Sequence, residues 1–368
     1  MSSVEERNTK VLTILDSLFE AANNSNYVAN DRPFSKSLEQ LFNTTAWGFR
    51  EILLVVVVGI QLDPSFRASK ALYDCNPRAI YEGPIKDFLI NKGIPHRKSG
   101  PLNVAKATVG LDNTWATQRR PANVATETVK IVDYMEENEK QVKARAFSVG
   151  VSIMRKLLEQ RQRLEALSVQ IEPSEDPDLL YHFCYELVTK TPDSGNTPQK
   201  IAAFLLKNYH QFMSTGVKVS GEEDRASVTS TTSKKPGDVN EERDGSIYKV
   251  YEVTVKPFDL ARIHDSYDCL SIYNSSHATN IKEVTIICRP KDCPEEMTIS
   301  SLHGYLGSYS YQDVIYYFWD IYEWMANTLQ RMTAEARRGF YTSLNEYISE
   351  INTAETVKLL WKQLHETA

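Results

Sequence analysis

The sequence predicts an α/β protein in which a mostly helical N-terminal region precedes a core with a mixed β-sheet flanked by helices. Apolar residues recur at helical spacing through much of the first half of the chain. In the second half, Asp244-Gly245 stands between two strand-like runs, and this dipeptide is typical of a hairpin turn. A helical stretch and a further strand-like run, 283–289, follow the hairpin. The order helix–strand–hairpin–helix–strand therefore predicts a mixed sheet.

The first half is expected to consist mainly of helices. The valines of 52–60 favour a strand by propensity, but the preceding residues TTAWGFRE are typical of a capped helix start. The run is also far shorter than the roughly 20 apolar residues that span a bilayer. We expect helices at 4–22, 45–61, 77–93, 122–137 and 145–167, with an irregular segment, 94–121, between the third and the fourth.

A break in the helical pattern marks a candidate domain boundary at IEPSEDPD, residues 171–178. The C-terminal part carries Tyr316, Trp319 and Tyr322 at helical spacing, which favours packing on the core or at a dimer interface over base stacking. We therefore divide the chain into a helical region 1–170, a core 171–310 and a helical extension 311–368.

The composition is that of a soluble globular protein, with 42% hydrophobic and 24% charged residues. The start of the chain has no apolar run behind a basic segment, which argues against a secretory leader.

Five cysteines at irregular spacing, without a CxxC pair, indicate reduced thiols in a cytoplasmic protein rather than a zinc site. The motifs of serine hydrolases, P-loop enzymes, zinc proteases and kinases are absent from the sequence, so nucleophilic catalysis has little support.

Charge is unevenly distributed along the chain. The net charge of −6 argues against a protein coated in basic residues, but local charge decides contact with phosphate. Between Lys86 and Arg120, seven basic residues stand against two acidic ones. Asn103, Lys106, Arg119 and Arg120 lie in the irregular part of this segment, and such side chains read bases or neutralise phosphates in DNA complexes. A solvated basic loop or a surface for an acidic partner fits the same charge.

The hairpin brings together residues that could carry out chemistry. With the turn centred between 244 and 245, antiparallel pairing sets position 238 opposite 251, so that Asp238 lies beside Glu252. Alternation along a strand that continues to Lys256 places Glu252, Thr254 and Lys256 on one face. A β-bulge would shorten the distance between Glu252 and Lys256 along the strand.

Two carboxylates and a lysine on one strand pair suit phosphodiester hydrolysis. Two close carboxylates repel each other unless a divalent ion lies between them. Mg²⁺ prefers oxygen ligands and keeps waters, one of which can become the nucleophile, while a lysine stabilises the developing negative charge. The pattern therefore predicts a phosphodiesterase site, although the same residues also fit a surface strand of mixed charge.

The hairpin resembles the SacI-type restriction endonuclease family, part of the PD-(D/E)XK nuclease superfamily. The family shows the arrangement PGDV…EVxxK, found here as Pro236–Val239, a short Asp-Gly turn, Glu252-Val253 and Lys256. The resemblance extends more weakly over most of the chain, through 76–79, 101–103, 198–201, 313–314 and 319–320. It implies a bacterial, homodimeric, Mg²⁺-dependent enzyme that cuts both strands of double-stranded DNA at a short specific site. It also implies a cognate DNA methyltransferase that acts on the same site.

The resemblance also implies roles for individual residues. Asp238 and Glu252 would be the metal ligands and Lys256 the catalytic lysine. Acid and lysine are usually two residues apart in the superfamily, whereas here they are four apart and Thr254 stands at the expected lysine position. Glu186 from a neighbouring helix is an alternative second acid. The DNA contacts would come from the N-terminal region and from the residues before the hairpin: Asn103, Lys106, Arg119, Arg120, Lys234 and Lys235.

Two other functions fit the same sequence. The first is a non-specific or modification-dependent nuclease of defence or repair. The second is a DNA-binding or scaffold protein without catalysis, in which the carboxylates are only surface charge.

Overall fold

The structure, a computed structural model, describes residues 3–97, 103–223 and 235–367. It divides into two compact units, Met1–Ala166 and Leu167–Ala368. Helices and a sheet with both parallel and antiparallel pairs confirm the predicted α/β class. None of the helices within the described ranges is long and apolar enough to cross a membrane.

The first unit is helical. The helix at the centre of its core, Gly48–Leu62, is buried at every position from Gly48 to Ile60, as expected for a helix that is apolar on all sides. The helix expected over the valine run is thus confirmed, because packing on all sides outweighs the strand propensity of valine. We number the longer helices of this unit α1 (Ser3–Asn23), α2 (Ser35–Phe42), α3 (Gly48–Leu62), α4 (Ala122–Glu136) and α5 (Val142–Glu165).

A helical stretch begins after Asn76, as predicted. The Asn76 side chain accepts a hydrogen bond from the Ala79 N–H at 3.4 Å, and Pro77 occupies the first turn. The helix widens to a π-helical turn at Tyr81–Ile85, which contains Pro84, a residue without an N–H to donate. The last helical segment, Lys86–Asn91, is followed by Gly93 in the left-handed region at φ 62°.

The second unit is built on a seven-stranded sheet, counted over the residues that the structure describes. The strand order is β1-β2-β3-β4-β7-β6-β5, with β3, β4 and β7 parallel at the centre and antiparallel pairs on both sides. The strands are β1 (Lys218–Ser220), β2 (Val239–Arg243), β3 (Ser246–Val253), β4 (Glu283–Cys288), β5 (Thr298–Ile299), β6 (Tyr305–Tyr311) and β7 (Val314–Asp320).

Helices cover both faces of this sheet. On one face, Leu270 belongs to the same apolar cluster as Val250 of β3, and on the other face Leu187 clusters with Tyr251. Neighbouring residues of β3 therefore face opposite layers, as the pleat requires. The first face is covered by α8 (Leu260–His277), and the second by α6 (Pro177–Lys190), α7 (Asn196–Phe212), α9 (Ile321–Arg331), α10 (Ala334–Ser349) and α11 (Glu355–Thr367).

The predicted helix is wrong over 311–320. These residues form the β6–β7 hairpin, which turns at Gln312 with φ 54°. Along β7, buried Val314, Tyr316 and Phe318 alternate with more exposed neighbours, which is the period of a strand. Tyr316, Trp319 and Tyr322 also recur at every third position, and this helical spacing led to the wrong prediction. The helix begins only at Ile321, where the Asp320 carboxylate accepts hydrogen bonds from two backbone N–H groups of the first turn.

Candidate active site

The β2–β3 hairpin positions the predicted acids. Asp244 and Gly245 both lie in the left-handed region, at φ 53° and 79°, as a tight two-residue hairpin turn requires. A β-bulge between Glu241 and Glu242 shifts the register, so that Val239 pairs with Tyr251. The predicted register is therefore wrong by one residue. The shift places Asp238, one residue before β2, next to Glu252.

The structure places the side chains of Asp238 and Glu252 close enough for each to affect the pKa of the other. Oδ2 of Asp238 also accepts a hydrogen bond from the Val253 N–H at 3.0 Å. The backbone carbonyl of Asp238 accepts one from the Gln199 side chain, on α7, at 3.3 Å. Glu252 is only 7% exposed, whereas Asp238 is half-buried. Asp238 is thus held by hydrogen bonds from β3 and from α7.

The surroundings of both carboxyls favour the protonated form. Burial raises the pKa of Asp238 above its ordinary value. Burial, followed by repulsion from the charge of Asp238, raises the pKa of Glu252 well above the ordinary range. Two carboxyls this close together favour a state in which one of them keeps its proton. A divalent cation satisfies the same pair without the proton.

Arg262 is the residue of this site that the sequence analysis missed. It lies in the first turn of α8, where the Asp259 carboxylate caps its backbone N–H at 3.0 Å. Its Nη1 donates to Thr254 Oγ1 at 2.8 Å, and its guanidinium lies 4.5 Å from the centre of the Phe258 ring. Its positive charge acts on both Asp238 and Glu252, where it lowers the pKa. The Asp259-x-x-Arg262 spacing fits a capped helix start, but it does not indicate that this helix packs over β3.

The strand predicted to reach Lys256 ends at Val253. The Thr254 hydroxyl donates to the Lys256 carbonyl and accepts from the Lys256 N–H, both at 3.1 Å. This local hydrogen bonding folds the chain away from the strand direction. The prediction that Glu252, Thr254 and Lys256 share one strand face is therefore wrong at Lys256, which is exposed. The structure contains no β-bulge between Glu252 and Lys256, and the bulge of this hairpin lies on β2 instead.

An open pocket of about 310 Å³ lies beside the carboxyl pair. Its lining includes Asp238, Thr254, Lys256 and Arg262, together with the turn Ser194-Gly195. Glu252 does not line the pocket. The pocket therefore combines a carboxylate with cationic side chains, as a metal-bound phosphate needs.

The donor set fits Mg²⁺ better than a metal that is enclosed by protein ligands. Among the described residues, no group of three or more His, Cys, Asp or Glu side chains could hold an ion. Mg²⁺ is bound in many enzymes by one or two carboxylates and fills its other positions with water and phosphate oxygens. Asp238 and Glu252, with the adjoining pocket, match that pattern.

Glu186 does not join the pair in the structure. It forms an ion pair with Lys190, one turn further along α6, and it is not among the residues that line the pocket. The structure thus places Glu252, rather than Glu186, beside Asp238.

The predicted DNA-contacting residues of the N-terminal region lie in the first unit, whereas the carboxyl pair lies in the second. Asn103, Lys106 and Arg120 are exposed. Arg119 is half-buried, and its Nη2 donates to the Lys106 carbonyl at 2.9 Å and to Thr108 Oγ1 at 2.6 Å. Arg119 therefore holds the loop together, which leaves Arg120 as the more accessible of the two arginines.

Two further predicted DNA-contacting residues, Lys234 and Lys235, precede the hairpin. Lys234 lies outside the described residues. Lys235 is half-buried.

Comparisons of this chain with models of known protein families and with curated proteins found no match.

Proposed function

We propose that this protein is a Mg²⁺-dependent endonuclease that hydrolyses phosphodiester bonds of double-stranded DNA at a specific site. One observation carries the proposal: the side chains of Asp238 and Glu252 lie next to each other, beside a pocket that Asp238 and Arg262 line. Holding two carboxyls in contact is unfavourable unless a proton or a cation joins them. A pocket with cationic side chains next to such a pair suits an anionic substrate held on a metal ion.

The roles follow from where each side chain lies. Asp238, which lines the pocket, and Glu252 beside it would hold the ion. When bound, Mg²⁺ supplies a water of lowered pKa and charge stabilisation for the phosphate. The Val253 N–H and the Gln199 amide keep Asp238 in place. A cationic side chain of the pocket would orient the phosphate and stabilise its added negative charge.

The topology supports the same proposal. Among the described residues, the elements α7, β1, the β2–β3 hairpin, α8 and β4 follow one another in the order helix–strand–hairpin–helix–strand. β4 lies parallel to β3, and α8 covers the face that carries Glu252. This order is the one expected from the sequence, and the residues of the resemblance, Pro236–Val239 and Glu252-Val253, stand at its centre.

Digestion of supercoiled plasmid tests the proposal directly. The wild-type protein should cut the plasmid with Mg²⁺ and not with EDTA, and discrete bands distinguish a site-specific enzyme from a non-specific one. Asp238→Asn and Glu252→Gln should each lose cleavage by at least two orders of magnitude, since each removes a metal-ligand charge. Glu283→Gln is the matched control because Glu283 is an exposed carboxylate on the neighbouring strand β4.

Four results would count against the proposal in different ways. The absence of Mg²⁺-dependent cleavage would indicate a DNA-binding or scaffold protein without catalysis. A smear of products would indicate a non-specific nuclease, and cleavage of methylated plasmid alone would indicate a modification-dependent one. Full activity in Asp238→Asn would move the active site elsewhere.

A further inference from the structure

We propose that Arg262, and not Lys256, is the cationic side chain that contacts the phosphate in this pocket. The inference rests on the proposed function, and it names the residue that takes the position usually held by a lysine. Sequence spacing points to Lys256, whereas the contacts of the folded chain point to the first turn of α8.

Arg262 reaches the place where the lysine is missing. Thr254 stands two residues after Glu252, at the expected lysine position. The Arg262 guanidinium donates to the Thr254 hydroxyl at 2.8 Å. A cation is thus supplied to that position from the neighbouring helix.

The Arg262 guanidinium is held from several sides. It lies against the Phe258 ring and has a second, longer hydrogen bond to the Pro257 carbonyl at 3.4 Å. The loop before α8 is tied to β4 and to the turn that follows β4, because the Thr254 N–H donates to the Ile287 carbonyl at 3.0 Å and the Phe258 N–H to the Asp292 carbonyl at 2.7 Å. A guanidinium fixed in this way keeps further donors for a phosphate and loses little freedom when one binds.

Lys256 has a different setting. Its backbone N–H and carbonyl are both bonded to the Thr254 hydroxyl, in the turn that follows β3. The residue is exposed, although it lines the pocket. Arg262, by contrast, is close enough to both Asp238 and Glu252 for its charge to favour their ionised forms. The charge balance of the pocket therefore depends on Arg262.

Three variants separate the two cations: Arg262→Gln, Arg262→Lys and Lys256→Gln. Single-turnover cleavage of plasmid is measured with Mg²⁺, and DNA affinity is measured with Ca²⁺. Arg262→Gln should slow cleavage on the order of 10²-fold or more, as removal of one preorganised electrostatic donor does. Its DNA affinity should change only a few-fold, since one phosphate contact is one among several. Arg262→Lys should recover part of the rate, and Lys256→Gln should stay close to the wild type.

A second measurement does not depend on cleavage. Calorimetry with inorganic phosphate and Mg²⁺ should show binding that weakens about tenfold in Arg262→Gln, because a charge-assisted hydrogen bond is lost. Lys256→Gln should bind phosphate like the wild type. Thermal melting of each variant shows whether the fold is intact.

The outcomes distinguish the two proposals. If the wild type does not cut DNA but binds phosphate in an Arg262-dependent manner, the nuclease proposal fails and the role of Arg262 as a phosphate contact stands. If Lys256→Gln loses cleavage and phosphate binding while Arg262→Gln keeps both, the inference about Arg262 is wrong and the nuclease proposal stands. Equal loss in Arg262→Gln and Arg262→Lys without loss of phosphate binding would reduce Arg262 to a structural residue.

Discussion

At the scale of single residues, the raised pKa of Glu252 has consequences that can be measured without any substrate. Burial raises this pKa well above that of an exposed glutamate, about 4.3, so the folded protein should hold the Glu252 proton more tightly than the unfolded chain does. A group with a raised folded-state pKa stabilises the fold at low pH, and this contribution is lost as pH rises through the folded pKa. The metal-free protein should therefore lose stability between about pH 4 and the raised pKa of the pair.

Glu252→Gln tests this linkage, because glutamine resembles the protonated acid. The variant should melt at a higher temperature than the wild type at pH 8, and the difference should shrink as the pH falls toward about 4. Mg²⁺ at pH 8 should raise the melting temperature of the wild type and leave Glu252→Gln nearly unchanged. Glu283→Gln, on the same sheet but exposed, should show neither effect. A melting-temperature difference that is independent of pH would show that Glu252 is not protonated in the fold.

At the scale of elements, the end of β3 links secondary structure to the site. Thr254 ends the strand by bonding its hydroxyl to the Lys256 backbone, and the same hydroxyl accepts the Arg262 guanidinium. Thr254→Val keeps the shape of the side chain and removes these bonds. It should slow cleavage about ten- to a hundredfold, since a hydrogen bond to a charged group contributes about 1.5–3 kcal/mol. Thr254→Ser keeps the hydroxyl and should stay near the wild-type rate. Equal cleavage rates in the wild type, Thr254→Val and Thr254→Ser would show that the hydrogen bonds of Thr254 at the end of β3 do not contribute to catalysis.

The elements also show what a sequence pattern can and cannot predict here. Asp244-Gly245 predicted the hairpin because its two left-handed positions demand such residues. The bulge at Glu241 and Glu242 has no comparable signal, so the register was wrong by one residue. Spacing along the chain could not predict Arg262, which reaches the site only because α8 packs over β3. The helix predicted around Tyr316 was wrong because aromatic residues on a strand can also recur at every third position.

At the scale of the whole molecule, the aromatic residues of the C-terminal extension pack inside their own unit. Tyr316 is fully buried within the sheet cluster, and the Tyr322 ring lies 4.9 Å from that of Tyr185 on α6. The helices that follow, α9 to α11, belong to the apolar cluster on one face of the sheet. Of the two placements expected for this extension, the structure shows packing on the core. A dimer prediction cannot rest on these aromatic residues.

The prediction of a homodimer rests instead on the number of sites. The described part of each chain carries one carboxyl pair of this kind, and a duplex has two strands of opposite polarity. Two copies related by two-fold symmetry would present one site to each strand. Wild-type protein should therefore convert supercoiled plasmid to linear DNA with little nicked intermediate. Mixing it with an excess of Asp238→Asn should give mixed dimers, which accumulate nicked circles because only one of their two sites is active. A protein that sediments as a monomer, makes linear DNA at first order in enzyme and ignores added Asp238→Asn would contradict the dimer.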